Sequence, residues 1–363
     1  MGGKHSHGSI VIQLESQYSR GNEEITGIIH ISLKKPMPPS TLYLVFKGKE
    51  ETHWIESQTE SWTDSDGNTQ SRTVTDYYDG KHHICNYSQA IYIWNKGLYP
   101  GGYSIPFSFF IPSGLIGSFY YENLGTIGFI EYKMHGKLKS ANGDKVTGKS
   151  PIQIILESHF VNTGLSVNKV ALMKTWCCAK KGACRINAAF PQDSYNPSQI
   201  ATVIVEVDNT LSLLNVKSIS CKLIYSIRLI CSTGRANFSK KCIIEEYVPR
   251  YIEAGQSLIN NSAIEIKLNL LQHSDLLQRM YTTRSHLIEC IYTLVIEASM
   301  EGSCICCGDK PCVESAMNIV PNVIQIQPSV PDAPQNWNPQ VYQSAHVKYD
   351  SVYEPTEVSS NYV

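Results

Sequence analysis

The segment Leu98-Tyr-Pro-Gly-Gly-Tyr-Ser-Ile-Pro-Phe-Ser-Phe-Phe-Ile-Pro-Ser-Gly-Leu-Ile-Gly-Ser-Phe119 constrains the fold of this chain more than any other. Pro100, Gly101 and Gly102 punctuate a turn. Ile105, Phe107, Phe109 and Ile111 then alternate with their neighbours, which puts large apolar side chains on one face of a strand. Pro106 lacks an N–H for a hydrogen-bonded ladder, so it belongs on an edge or at a strand start. Pro112, Gly114 and Gly117 end the run.

The same period recurs along the chain. Ile10, Ile12 and Leu14 alternate, as do Ile25 to Leu33 and Leu42 to Gly48. Each run is short and bounded by Gly, Pro, Asn or Ser, as antiparallel strands are. Residues 56–82 are polar with Asp66-Gly67-Asn68 at their centre, and read as a long hairpin tip or a solvated loop. Strands resume at 91–94, 105–111, 127–138 and 152–156, whereas 160–175 has no clean period and reads as a connector. The second half repeats the style at Val203–Val207, Ile219–Leu229, Ile264–Leu270 and Cys290–Ile296, with a short helix only at 274–280. After Pro328, four prolines and five spaced aromatics among polar residues make a tail without a core of its own. With 363 residues, the expected architecture is all-β: two tandem immunoglobulin-like sandwiches over 1–165 and 166–328, and a disordered tail over 329–363.

The Pro-Gly-Tyr, Pro-Phe-x-Phe and Pro-x-x-Leu-x-Gly-Ser-Phe series resembles the signature of the arrestin N-terminal domain, most closely that of the α-arrestins. Ile25-Thr-Gly-Ile-Ile-His-Ile-Ser-Leu, Leu42-Tyr-Leu-Val-Phe-Lys-Gly-Lys-Glu50 with Trp54, and Ile130-Glu-Tyr-Lys-Met-His-Gly-Lys-Leu138 resemble further strands of that domain. In the second half, Cys177-Cys178, Gly182, Tyr195-Asn-Pro and Val205-Glu-Val-Asp-Asn-Thr resemble the opening of the C-terminal arrestin domain, whose last strand would be 322–326. The resemblance implies a non-catalytic adaptor that links membrane-protein cargo to endocytic or sorting machinery. The alternative it leaves open is a permanent subunit of a coat, like the arrestin-like subunit of retromer.

Two departures are legible. Residues 85–98 have strand character, where visual and β-arrestins carry an amphipathic helix. The Pro-Pro-x-Tyr motif by which many α-arrestins recruit ubiquitin ligases is not found, Pro38-Pro39-Ser40-Thr41 being a near miss.

Seven of the 12 cysteines fall in two windows, Cys177–Cys184 and Cys304–Cys312. Cys304-x-x-Cys307-Gly308 has zinc-knuckle spacing. In an immunoglobulin-like sandwich the first strand runs beside the last, so the windows are expected to converge. A structural Zn²⁺ held by Cys304, Cys307 and two of Cys177, Cys178, Cys184 and Cys312 follows. The alternative is that these thiols are small buried hydrophobes or acylation targets. Met1-Gly2-x-x-x-Ser6 fits N-myristoylation at Gly2, and Tyr349-Asp-Ser-Val352 fits a Tyr-x-x-apolar sorting pattern, so Tyr349 and Val352 are candidate partner contacts.

Other chemistry finds no carrier in the sequence. There is no phosphate-binding glycine loop, Gly-x-Ser-x-Gly elbow or His-Glu-x-x-His. The net charge of -1 favours neither nucleic acid nor bulk attraction to an acidic membrane. The expected partners are proteins, with a peripheral membrane contact beside them. The expected compartment is the cytoplasm, at the plasma membrane or endosomes, because no secretory leader or membrane-spanning run is visible.

Overall fold

The computed structural model describes residues 7–155, 161–175, 179–302, 309–322 and 338–348, and the backbone of 356–358. The chain divides into two compact units. One comprises Met1–Glu157, Cys231–Thr233 and Val323–Val363, and the other Ser158–Ile230 and Gly234–Asn322.

The first unit holds β1 (Gly8–Leu14), β2 (Tyr18–Arg20), β3 (Glu24–Leu33), β4 (Ser40–Thr63), β5 (Thr69–Trp94), β6 (Gly101–Phe110), β7 (Phe119–Asn123), β8 (Thr126–Ser140) and β9 (Lys145–Ile155). One sheet runs β1-β3-β6 and the other β2-β9-β8-β4-β5, with β7 on β8. The period-2 pattern sets the register: Ile12 faces Ile29 and Ile10 faces Ile31, all four buried. The sheets meet through aromatics. The Phe46 ring of β4 lies 5.3 Å from Phe109 of β6 and stacks on Tyr132 at 5.7 Å. Gly148 of β9 permits the close approach of β1, since a Cβ there would sit 2.1 Å from the Ile10 carbonyl oxygen.

The polar stretch 56–82 is the outer part of one continuous β4–β5 hairpin, paired from Ser40↔Trp94 to Thr63↔Thr69. Asp64 closes its tip by accepting from the Asp66 and Asn68 N–H groups. The strand character expected over 85–98 holds as far as Trp94, where β5 ends, and Leu98 makes only an isolated bridge to Met37.

The second unit holds β10 (Thr163–Lys174), β11 (Lys180–Gln192), β12 (Ser194–Tyr195), β13 (Ile200–Asp208), β14 (Val216–Ile230), β15 (Ala236–Val248), β16 (Ser257–Leu258), β17 (Ile264–Asn269), α1 (Ser274–Arg279), β18 (Thr283–Arg284), β19 (Ile288–Met300) and β20 (Cys312–Ile319). Its sheets are β10-β11-β13-β16, with β17 on β13, and β12-β20-β19-β14-β15, with β18 on β19. Cys221 in β14 and Cys290 in β19 are buried.

Residues 160–175 correct the connector reading: β10 is a full strand antiparallel to β11. It is an edge strand with only Ala171 and Met173 buried, so it carries no apolar period. The last strand described in this unit is β20, which ends at Ile319; Val323–Ile326, in the stretch taken for the closing strand, lie outside the described residues.

Three further strands come from the tail: β21 (Gln340–Val341), β22 (Ala345–Val347) and β23 (Thr356–Val358). They add to the two sheets of the first unit, β21 and β22 on β6 and β23 on β5.

Candidate functional site

The side of β6 away from β3 is covered by the chain's own tail. The other side is occupied by β3, from Leu33↔Gly101 to Glu24↔Phe110. The tail lies parallel to β6, Gln340 and Val341 beside Tyr103 and Ser104, then Ala345, His346 and Val347 beside Phe107, Ser108 and Phe109. Between those two pieces the tail spends one residue more than β6, and the gap falls at Ile105–Pro106. Pro106 has no N–H to offer a ladder, so a tail strand breaks and bulges past it. The proline therefore does not mark an open edge, since β6 has strands on both sides; it marks the break between β21 and β22.

Side chains fix the register. Tyr342 enters an aromatic cluster, its ring centroid 5.5 Å from Tyr92, 5.7 Å from Trp94 and 6.3 Å from Tyr103. The first two contacts are edge-on, the favoured geometry for rings with opposed edge and face charge. Trp94 Nε1–H donates to Tyr342 Oη at 3.2 Å, Tyr342 N–H donates to the Ser104 carbonyl at 3.0 Å, and Tyr92 Oη–H donates to the Gln343 carbonyl. Burial, with Tyr342 close by, pushes the Tyr103 phenol above its ordinary range. Ala345 and Val347 are buried to 0% and 1% exposure, whereas His346 turns outward to Ser108 Oγ at 2.7 Å. Lys348 Nζ stands 4.6 Å from the centre of the Phe110 ring.

Along β6 the tail thus presents a Tyr-x-x-small-x-aliphatic pattern in an extended strand, the geometry of strand addition. Sequence reasoning flagged Tyr342 only as one of several spaced tail aromatics. It missed Ala345 and Val347, because one alternation is too short to register as a period.

The sequence-derived site residues fare differently. Gly2, Cys177, Cys178, Cys304, Cys307, Tyr349 and Val352 lie outside the described residues. Cys184 is buried in β11 opposite Ala171, and burial, with Asp208 nearby, pushes its thiol up to about 12. Cys312 opens β20 opposite Glu297, and its thiol is raised by burial and by Glu297 and Glu314. Asp309, inside the second window, donates its N–H to the carbonyl of Leu172 at 3.3 Å, five residues before the first window opens, and Lys174 pairs with Lys180 across the start of the first window. Among the described residues no group of three or more His, Cys, Asp or Glu is placed to hold a metal ion. His82 contacts the fully buried Glu50 carboxylate at 2.8 Å. No described helix is long and apolar enough to cross a membrane.

Comparison with known proteins accords with this architecture. Residues 9–159 match the family model described as arrestin (or S-antigen), N-terminal domain. Residues 180–323 match arrestin (or S-antigen), C-terminal domain. No curated protein matches the chain. Two sandwiches in this order, the Pro-Phe strand in the first and both family models in register with the two halves, make the chain a member of the arrestin family.

Proposed function

We propose that this arrestin-family protein is a non-catalytic adaptor of the α-arrestin type that captures extended segments of membrane-protein cargo or sorting factors on the edge of β6 that its own tail covers. The observation that carries the reading is the tail itself, laid along that edge with Tyr342 among three rings and Ala345 and Val347 buried. A segment of the same pattern from another protein fits the same place in competition with the tail. The strand at 85–94, in place of a helix, supports the α-arrestin branch.

The test compares the full chain with a version ending at Pro328, each purified from its native cell with its partners. A synthetic peptide of residues 338–348 is titrated against both. Direct binding to the shorter version, weak binding to the full chain, and cargo or sorting factors whose capture changes with the tail support the adaptor. No peptide binding to the shorter version refutes the edge. A fixed set of partners retained by both versions assigns instead a permanent subunit of an assembly.

We also propose that Cys304 and Cys307, with two of Cys177, Cys178, Cys184 and Cys312, hold a structural Zn²⁺. The support is the zinc-knuckle spacing and the Asp309–Leu172 bond, which ties the second window to the strand that leads into the first. Gly2 is proposed as a lipid anchor on its sequence pattern. Since one acyl chain gives only marginal membrane binding, such an anchor requires a second contact.

A further inference from the structure

The outward face of the β4-β8-β9 sheet concentrates positive charge that the near-neutral total conceals. Register places Lys47 directly opposite Lys133, and Lys139 directly opposite Lys145. His135 stands opposite Lys149, and Lys137 lies between these pairs on β8. The four cross-strand rows that contain these residues, followed from β5 to β9, hold no Asp or Glu. Among the described residues acidic groups border the face: Glu131 in the next row contacts both Lys133 and Lys49, Asp144 in the β8–β9 turn lies 3.8 Å from His7, and Glu357 of β23 stands beyond β5 in the Lys139 row. Lys139, Lys145 and Lys149 are exposed.

Like charges directly opposite one another on a sheet weaken it. The strain is visible in the titrating groups. Burial lowers the Lys137 amine, and Lys47, Lys145 and Lys139 lower it further. Burial and four lysines, Lys137 first, bring the His135 imidazole down to about 4. A chain that keeps six lysines together at such a cost recovers stability when an external anion meets them.

The form of the face says which anion. Strands about 4.8 Å apart and same-face residues about 6.7 Å apart spread the lysines over an area on the order of 15 by 20 Å. All the fixed cations are lysines, which act as compact point charges on flexible stems. Arginine, whose planar fork grips a single phosphate bidentately, is not among them. A delocalised field of point charges matches a plane of many anionic headgroups better than one phosphorylated peptide. We propose that this face of the first sandwich docks on the anionic leaflet of a membrane.

The test is co-sedimentation of the full chain with vesicles of phosphatidylcholine alone, with 30 mol% phosphatidylserine, or with 5 mol% phosphatidylinositol bisphosphate. Every protein carries Gly2→Ala, so that no acyl chain contributes. A face variant combines Lys137→Gln, Lys139→Gln, Lys145→Gln and Lys149→Gln. A control removes the same charge from the second unit through Lys217→Gln, Lys240→Gln, Lys241→Gln and Lys267→Gln. The parent is expected to bind anionic vesicles and not neutral ones, and to release them as salt rises from 0.05 to 0.5 M. At about fivefold per lysine near the surface, the face variant loses at least 100-fold in partitioning, while the control keeps it. Binding to both anionic compositions assigns bulk charge, and binding to the bisphosphate alone assigns that headgroup. Thermal melting checks that the face variant folds, and its midpoint is expected to stay or rise. Equal binding to neutral vesicles, an unaffected face variant, or equal loss in the control overturns the proposal. So does a phosphorylated peptide that displaces the protein from vesicles at lower concentration than free lipid does.

Discussion

Tyr342→Ala tests whether the tail is a component of the first sandwich or a loose appendage. The substitution removes a ring that meets Tyr92, Trp94 and Tyr103 with centroids 5.5–6.3 Å away. It also removes the oxygen that accepts from Trp94 Nε1. A buried aromatic replaced by alanine costs about 3–5 kcal/mol, and the partial exposure of Tyr342 argues for the low end. About 3 kcal/mol corresponds to a factor of about 150 in the docking equilibrium. Amide exchange reads that equilibrium residue by residue. The Tyr342 amide, bonded to the Ser104 carbonyl, is expected to exchange about 100-fold faster in the variant, and the amides of 345–347 with it. Amides of β3 and β8, inside the two sheets, are expected to keep their rates, because tail opening is local. Tyr342→Phe keeps the ring and loses one hydrogen-bond group, so it should cost about 1 kcal/mol and raise exchange about fivefold. Unchanged exchange in 342–347 on Tyr342→Ala, or equal acceleration throughout the first unit, refutes the reasoning.

Gly148→Ala drives a methyl into the Ile10 carbonyl, and is expected to lower thermal stability by about 2 kcal/mol; a melt within 1 °C of the parent contradicts the close β1–β9 packing. His135 titrates at about 4 in the folded state, below its ordinary 6.5, so the unfolded chain takes up the proton first. Stability is therefore expected to fall as pH drops from 6.5 towards 4. Denaturant midpoints at the two ends of that window should converge in His135→Gln, and an unchanged pH slope in that variant counts against the assignment. Elemental analysis of the purified chain is expected to find about one zinc per chain, lost together with thermal stability in a Cys304→Ser, Cys307→Ser double variant. Metal content well under one per chain removes the proposed site.

The two-sandwich plan was legible because alternation is a local signal: Ile25, Ile29 and Ile31 declare their face within one strand. Edge strands defeat the same reading. β10 buries only two side chains along its length and so resembles a connector. The tail is harder again. Ala345 and Val347 matter because of what β6 presents to them, a relation between residues more than 200 apart in the chain. The lysine face was invisible for a different reason. Lys47, Lys133 and Lys145 are scattered in sequence, each unremarkable in its strand, and only the register sets them side by side. A net charge summed over the chain averages that asymmetry away. Pro106 is half a counterexample: its missing N–H implies an edge, and in the structure β6 is covered on both sides but the tail ladder breaks beside the proline.

The parallel strands on β6 also impose a schedule on synthesis. Phe110 leaves the ribosome about 230 residues before Val341, which at 5–20 residues per second is roughly 10–50 s. Throughout that interval β1, β3 and β6 can pair with one another, yet the outer side of β6 has no strand from its own chain to take. An uncovered edge is a template for any extended polypeptide nearby. The nascent first sandwich thus meets its environment with the groove vacant, and a ligand present at the site of translation has its longest access before the protein is finished.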